Sequence, residues 1–123
     1  MLTKYLLLEN MLKPHFDDRI QRAIVYINEN LTEELSIQKI SKNTNVSKSV
    51  LYERFRDAFD CTVSEYINEK RVELSCDFLI KTDLSIEYIA EKVGFSGASY
   101  YGKIFKRLKG MTPLKYRRTN AIK

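Results

Sequence analysis

The chain has few of the residues that build metal, redox or catalytic sites. It contains two cysteines, Cys61 and Cys76, and one histidine, His15, and their positions form no metal-binding or redox spacing. The sequence also shows no nucleophile–base pair and no phosphate-binding loop. We therefore predict that the protein is not an enzyme, that it holds no cofactor or metal ion, and that both cysteines are reduced thiols in a cytoplasmic protein.

The chain also lacks a long apolar run. None approaches the roughly 20 residues that span a bilayer, so we predict no membrane association. Residues 1–16 form a short apolar stretch that Pro14 ends, without the cleavage site of a secretory signal. This stretch is a helix that caps the core, a dimer contact or the end of an upstream domain, and the sequence leaves these interpretations open.

Acidic residues are absent from the last quarter of the chain. Residues 92–123 contain nine basic residues and no acidic ones, whereas the first 91 residues contain all 16 acidic residues and 12 of the 21 basic ones. All four glycines also lie in this part, between Gly94 and Gly110. Such a concentration of positive charge indicates a polyanionic partner.

The apolar pattern predicts an all-α fold. Asp17 or Asp18 can cap a helix that runs to about Asn30, and Ser36 and Ser47 can cap two more. The stretch from Val63 to Lys81 is typical of one long helix. At ~1.5 Å per residue that helix is about 28 Å long.

The helical pattern then occurs a second time. Leu35-Ser36-Ile37 matches Leu84-Ser85-Ile86 at an offset of 49, and Phe55 matches Phe105 at an offset of 50. The two turn residues, Asn45 and Gly94, both tolerate positive φ. The repeated unit, a short helix, a tight turn and a second helix, indicates a helix-turn-helix DNA-binding module.

Two such units in one chain predict a protein that reads two successive major grooves, which lie roughly 34 Å apart on one face of B-DNA. We expect helices over 47–59 and 97–109 to enter the grooves. Their outward residues are Lys48, Ser49, Tyr52, Glu53 and Arg56 in the first copy, and Ala98, Ser99, Gly102, Lys103 and Lys106 in the second. Gly102 either lets the helix lie close to DNA or packs against another helix.

Basic and helix-terminal residues are candidates for phosphate contacts. The predicted set is Ser36, Lys48, Arg56, Ser85, Lys106, Arg107, Lys109, Thr112, Lys115, Arg117 and Arg118.

The second copy resembles the DNA-binding domain of the AraC/XylS family of bacterial transcription regulators. The matching positions are Ser85-Ile86, Ile89-Ala90, Gly94-Phe95, Ser99-Tyr100-Tyr101, Phe105-Lys106, Gly110-Met111-Thr112-Pro113 and Tyr116-Arg117. The resemblance implies a seven-helix, two-lobed domain that binds promoter DNA, with RNA polymerase as a partner and an activating role in the bacterial nucleoid. It also implies base-reading positions at Ser49, Tyr52, Glu53, Ala98, Ser99, Gly102 and Lys103.

We therefore predict about seven helices in two helix-turn-helix subdomains, besides the N-terminal stretch. The first subdomain covers 18–62, the linker helix 63–81 and the second subdomain 82–118. Residues 1–17 precede them, as an N-terminal helix or a linker from an upstream domain, and 119–123 form a basic tail.

Overall fold

The computed structural model describes residues 17–121, and within that range the chain is entirely helical apart from turns. The helices are α1 (Asp18–Glu29), α2 (Ile37–Thr44), α3 (Lys48–Phe59), α4 (Val63–Lys81), α5 (Ile86–Lys92), α6 (Ala98–Lys109) and α7 (Pro113–Asn120). The predicted all-α fold is confirmed. The predicted helix or dimer contact in residues 1–16 lies outside the described residues. Within 17–121, no helix is long and apolar enough to cross a membrane.

Polar side chains begin these helices where the sequence predicts them. The Asp17 carboxylate accepts the backbone N–H of Arg19 at 3.1 Å, and the Ser36 hydroxyl accepts that of Lys39 at 3.1 Å. Each of these bonds satisfies a donor that has no partner within its own helix. Thr62 and Glu65 form a reciprocal pair of such bonds, both 3.0 Å long, at the start of α4.

The helix starts repeat at the offsets that the sequence predicts. The short helices α2 and α5 begin at Ile37 and Ile86, an offset of 49 residues. The longer helices α3 and α6 begin at Lys48 and Ala98, an offset of 50. The first turn places Asn45 at φ 58°, and the second places Gly94 at φ 104°. Both angles are positive, so the two turns use the residue types that tolerate such a backbone.

Backbone contacts divide the chain into two units. The first contains the described residues up to Asn30 together with Leu35–Tyr66. The second contains Leu31–Glu34 together with the residues from Ile67 onward. The boundary therefore falls inside α4, after its first turn, and the second unit includes a short segment that lies between α1 and α2 in sequence.

The core of the first unit consists of the apolar faces of α1, α2 and α3. Aromatic rings close it at the start of α4: the Phe55 ring centroid lies 5.1 Å from that of Tyr66 and 5.6 Å from that of Phe59. Tilted and edge-on ring pairs at these distances are favourable beyond their buried area. The other buried apolar side chains are Ile20, Ala23, Ile24, Ile27, Ile40, Val46, Leu51, Ala58 and Val63.

The core of the second unit is built around the inward face of α6. Tyr101 and Phe105 are fully buried there, and their ring centroids lie 5.7 Å apart. Burial raises the pKa of the Tyr101 hydroxyl to about 12. The surrounding buried residues are Val72, Cys76, Leu79, Ile89, Ala90, Val93, Phe95 and Ile104.

A buried arginine of α4 organises the loops of the second unit. Arg71 donates from Nε to the carbonyl of Leu31 at 2.9 Å and from Nη2 to the carbonyl of Glu33 at 2.7 Å. Its side chain is among the most buried charged groups of the described residues, and burial lowers its pKa. The guanidinium thus donates hydrogen bonds to two loop carbonyls that have no partner in a helix or sheet.

Gly94 packs directly on this arginine. A Cβ at Gly94 would lie 2.7 Å from Arg71 Nε and 2.9 Å from the Leu31 carbonyl oxygen. The turn therefore requires glycine for two reasons, its positive φ and the close approach of the guanidinium.

We expect Gly94→Ala to lower the free energy of unfolding by about 2–5 kcal/mol, since it combines left-handed strain with overpacking. Gly110→Ala is the matched control, because Gly110 also has a positive φ, 76°, but a Cβ there would meet no atom within 4 Å. It should lose only about 1–2 kcal/mol. Urea denaturation followed by circular dichroism measures both variants, and equal losses would contradict the close packing at Gly94.

Candidate nucleic-acid interface

The outward face of α3 carries five polar side chains in the positions predicted for the first copy. Ser49, Tyr52 and Glu53 are exposed, with Tyr52 at 50%, and Lys48 and Arg56 flank them in solvent. A salt bridge of 3.4 Å joins Arg54 of α3 to Asp17 at the start of α1. The helix is held from behind by its buried residues Leu51, Phe55 and Ala58.

The outward face of α6 is smaller and more basic. Ser99, Lys103 and Lys106 are exposed, whereas Ala98 and Gly102 are half-buried. The structure therefore brings each predicted base-reading set together on one helix face, and contact with bases stays a prediction. The opposite face of α6 is held by the buried residues Tyr101, Ile104 and Phe105.

Gly102 has no packing role within the described residues. A Cβ at this position would meet no atom within 4 Å. The explanation of Gly102 by close helix–helix packing is therefore wrong for that part of the chain. The glycine lowers helix propensity by about 1 kcal/mol relative to alanine, and the space above it is open to an external partner.

The two faces differ in what they can bind. The first carries a carboxylate, Glu53, that can accept from cytosine N4, and a phenol and a hydroxyl that can bond to other base edges. The second carries Lys103, which can donate to guanine O6 and N7. Next to it are the methyl group of Ala98 and the backbone of Gly102. Groups suited to base discrimination are therefore concentrated on the first face, and the second face has basic groups without an acidic one.

Most of the predicted phosphate residues are accessible. The hydroxyl oxygens of Ser36, Ser85 and Thr112 accept backbone N–H groups at their helix starts, at 3.1, 3.1 and 3.2 Å. Each hydroxyl proton can still be donated to an outside acceptor, because a hydroxyl can accept and donate at once. The basic members of the set with exposed side chains are Lys48, Arg56, Lys106, Arg107, Lys109, Lys115 and Arg118.

Arg117 has a structural role that the sequence did not indicate. Its guanidinium donates to the carbonyls of Leu79 at 2.9 Å and Leu84 at 2.7 Å, and to that of Thr82 at 3.2 Å. These bonds join α7 to the last turn of α4 and to the segment before α5, much as Arg71 holds the segment before α2. The geometry therefore gives Arg117 a role in the fold, and its phosphate contact stays a prediction. Because Arg117 lies among many other basic residues, the sequence did not indicate that it binds backbone carbonyls.

The remaining polar groups do not form a metal site. Among residues 17–121, no group of three or more histidine, cysteine, aspartate or glutamate side chains could hold a metal ion. Cys76 is buried, and burial raises the pKa of its thiol. Cys61 is half-buried in the turn between α3 and α4.

Comparison with known proteins agrees with this architecture. The family described as helix-turn-helix domain matches residues 40–119. An uncharacterized HTH-type transcriptional regulator of Pseudoalteromonas carrageenovora is 31% identical over 81% of this chain and 59% of its own length. The Msm operon regulatory protein of Streptococcus mutans is 30% identical over 91% of this chain and 43% of its own length. The chain thus spans about half the length of the curated relatives it matches.

Solved structures show the same fold. The C-terminal domain of AraT, a response regulator from Geobacillus stearothermophilus, superimposes with a TM-score of 0.82 at 28% identity, over 87% of this chain and 89% of that one. A Chromobacterium violaceum transcriptional regulator with an AraC-type DNA-binding domain gives a TM-score of 0.78 at 25% identity, over 84% and 92% of the two chains.

Arg117 and its neighbour Arg118 provide a matched test of the assignments. We expect Arg117→Gln to lower the free energy of unfolding by about 2 kcal/mol, because charge-assisted bonds to three backbone carbonyls are lost. Arg118→Gln should leave stability within about 0.5 kcal/mol, since its side chain is exposed. Denaturant midpoints measure the difference, and an Arg117 variant as stable as the Arg118 variant would contradict the structural role of Arg117.

Proposed function

The chain belongs to the AraC/XylS family of helix-turn-helix transcription regulators, and we propose that it binds specific sequences in double-stranded promoter DNA through α3 and α6. Each helix offers one solvent-facing surface, and the two surfaces occupy equivalent positions of the repeated unit. The main support for the proposal is that the same exposed helix face occurs twice, and the major groove of B-DNA admits an α-helix. Two recognition helices in one chain predict two half-sites in the bound DNA.

We propose that the two copies contribute differently to binding. The first, with Ser49, Tyr52 and Glu53, selects the sequence through hydrogen bonds to base edges. The absence of acidic residues after Glu91 supports a different role for the second copy. That copy supplies more of the affinity through phosphates and reads DNA shape where Gly102 allows close approach. Its basic residues on α6 are Lys103, Lys106, Arg107 and Lys109.

The biological role follows from promoter binding. We propose that the protein activates transcription with RNA polymerase as its partner, acting in the cytoplasm at the bacterial nucleoid. It does so as a binding protein without a catalytic step. A dimer through residues 1–16 or through an upstream domain is part of the proposal, because the relatives are longer than this chain.

The salt dependence of binding tests the proposal directly. Fluorescence anisotropy with a DNA duplex chosen from a random pool measures the slope of log K against log salt. A helical module that binds only a protein partner through an apolar surface would enrich no sequence from the pool and would not bind the duplex. We expect a slope of about −6 if all the exposed basic residues of the predicted set contact phosphates. These are Lys48, Arg56, Lys106, Arg107, Lys109, Lys115 and Arg118.

Lys103 is the residue of the second copy with the longest reach toward base edges. We expect Lys103→Ala to weaken binding to the selected sequence by about 1–3 kcal/mol and to relax preference at one base position. Lys81→Ala, which removes an exposed charge at the end of α4, is the control and should leave the preferred sequence unchanged. Repeating the selection with each variant measures this. An equal loss on all sequences would mean that Lys103 contacts only phosphate.

A further inference from the structure

Tyr100, in the first turn of α6, is held in a defined position while its side chain stays accessible. Its hydroxyl oxygen accepts a hydrogen bond of 3.0 Å from Nδ2 of Asn68, a residue of α4 that is only 8% exposed. Its ring lies edge-on to Phe95, with centroids 6.0 Å apart. Nevertheless the Tyr100 side chain is 46% exposed. All of these residues belong to the second unit.

The hydrogen bond from Asn68 determines what the Tyr100 hydroxyl can still do. A phenol has one proton to donate and lone pairs to accept with. Because Asn68 donates, it occupies an accepting position and leaves the phenolic proton for another acceptor. An exposed ring that is fixed at both ring and hydroxyl therefore presents one oriented donor to solvent.

The position of Tyr100 on α6 indicates which acceptor this donor meets. Tyr100 and Arg107 are seven residues apart, about two helical turns, so they lie along one side of the helix. When a helix lies in the major groove, its centre faces base edges and its sides face the two backbones. The strip opposite the buried face, which would point at the bases, contains Ser99 and Lys103.

We propose that Tyr100 donates a hydrogen bond to a DNA phosphate oxygen and that Asn68 is its positioning residue. This inference rests on the proposed function and adds a neutral contact to the basic ones. The equivalent position in the first copy is Val50, which has no hydrogen-bonding group in its side chain. The contact therefore belongs to the second copy alone and strengthens its role in holding the backbone.

A neutral donor has a distinctive thermodynamic effect. Replacing a lysine or arginine at a phosphate lowers both affinity and the salt slope, because fewer counterions are released on binding. Removing the Tyr100 hydroxyl removes no charge. Affinity should therefore fall while the salt slope stays the same, and the loss should be equal on selected and random DNA.

The experiment compares Tyr100→Phe with Tyr26→Phe, a control at a half-buried tyrosine of α1. We expect Tyr100→Phe to weaken binding to both DNAs about 10-fold with an unchanged salt slope, and the control to stay within about 2-fold of the parent protein. Asn68→Leu should weaken binding about 3-fold but have no effect in the Tyr100→Phe background. That coupling separates positioning from a general loss of stability, which denaturant midpoints report independently.

The outcomes separate this inference from the proposed function. If the parent protein shows salt-dependent, sequence-selective binding but Tyr100→Phe matches the control, the phosphate contact is refuted and the proposed function stands. A loss confined to the selected sequence would also refute it, because it would indicate a base contact. If the parent protein does not bind DNA, the proposed function itself fails.

Neutral methylphosphonate substitutions, placed one at a time in the second half-site, identify the phosphate. The parent protein should lose affinity at one position where Tyr100→Phe loses none. If every position that lowers the affinity of the parent protein also lowers that of Tyr100→Phe, the proposed contact does not exist.

Discussion

The pairing of backbone carbonyls by arginine side chains is the interaction on which the second unit depends. Arg71 holds the carbonyls of Leu31 and Glu33, and Gly94 packs on the same guanidinium. Arg117 binds the carbonyls of Leu79 and Leu84, which precede α5, in the same way. Short connections leave such carbonyls without helix or sheet partners, and a planar fork with several donors can satisfy two at once. The position of α6 follows from these loops and from its buried aromatic face.

Local rules account for most of the fold. Helix starts were predictable because Asp17, Ser36 and Ser47 are side chains that accept orphan N–H groups, and the turn at Asn45 because asparagine tolerates the left-handed region. The bounds of α4 agree with its apolar periodicity. By contrast, the role of Arg117 depends on carbonyls that are distant from it in sequence and close to it only in the folded chain. A basic residue in a basic segment carries no sign of such partners.

The candidate site was predictable to the level of helix faces. Periodicity separates buried Tyr101 and Phe105 from exposed Ser99 and Lys103. It does not distinguish a base-reading side chain from one beside the backbone, because that depends on small differences of angle around the helix. Tyr100 shows the limit: it lies between the two faces, and only its hydrogen bond with Asn68 reveals an oriented donor.

Two copies of one unit, each presenting a helix face to DNA, form the central claim. Hydroxyl-radical footprinting on a selected duplex tests it most directly, because it reports backbone protection nucleotide by nucleotide. We expect two protected segments with centres about 10 base pairs apart, the separation of successive major grooves on one face of the duplex. One continuous protected segment no longer than a single half-site would contradict the claim, since only one copy would then bind DNA.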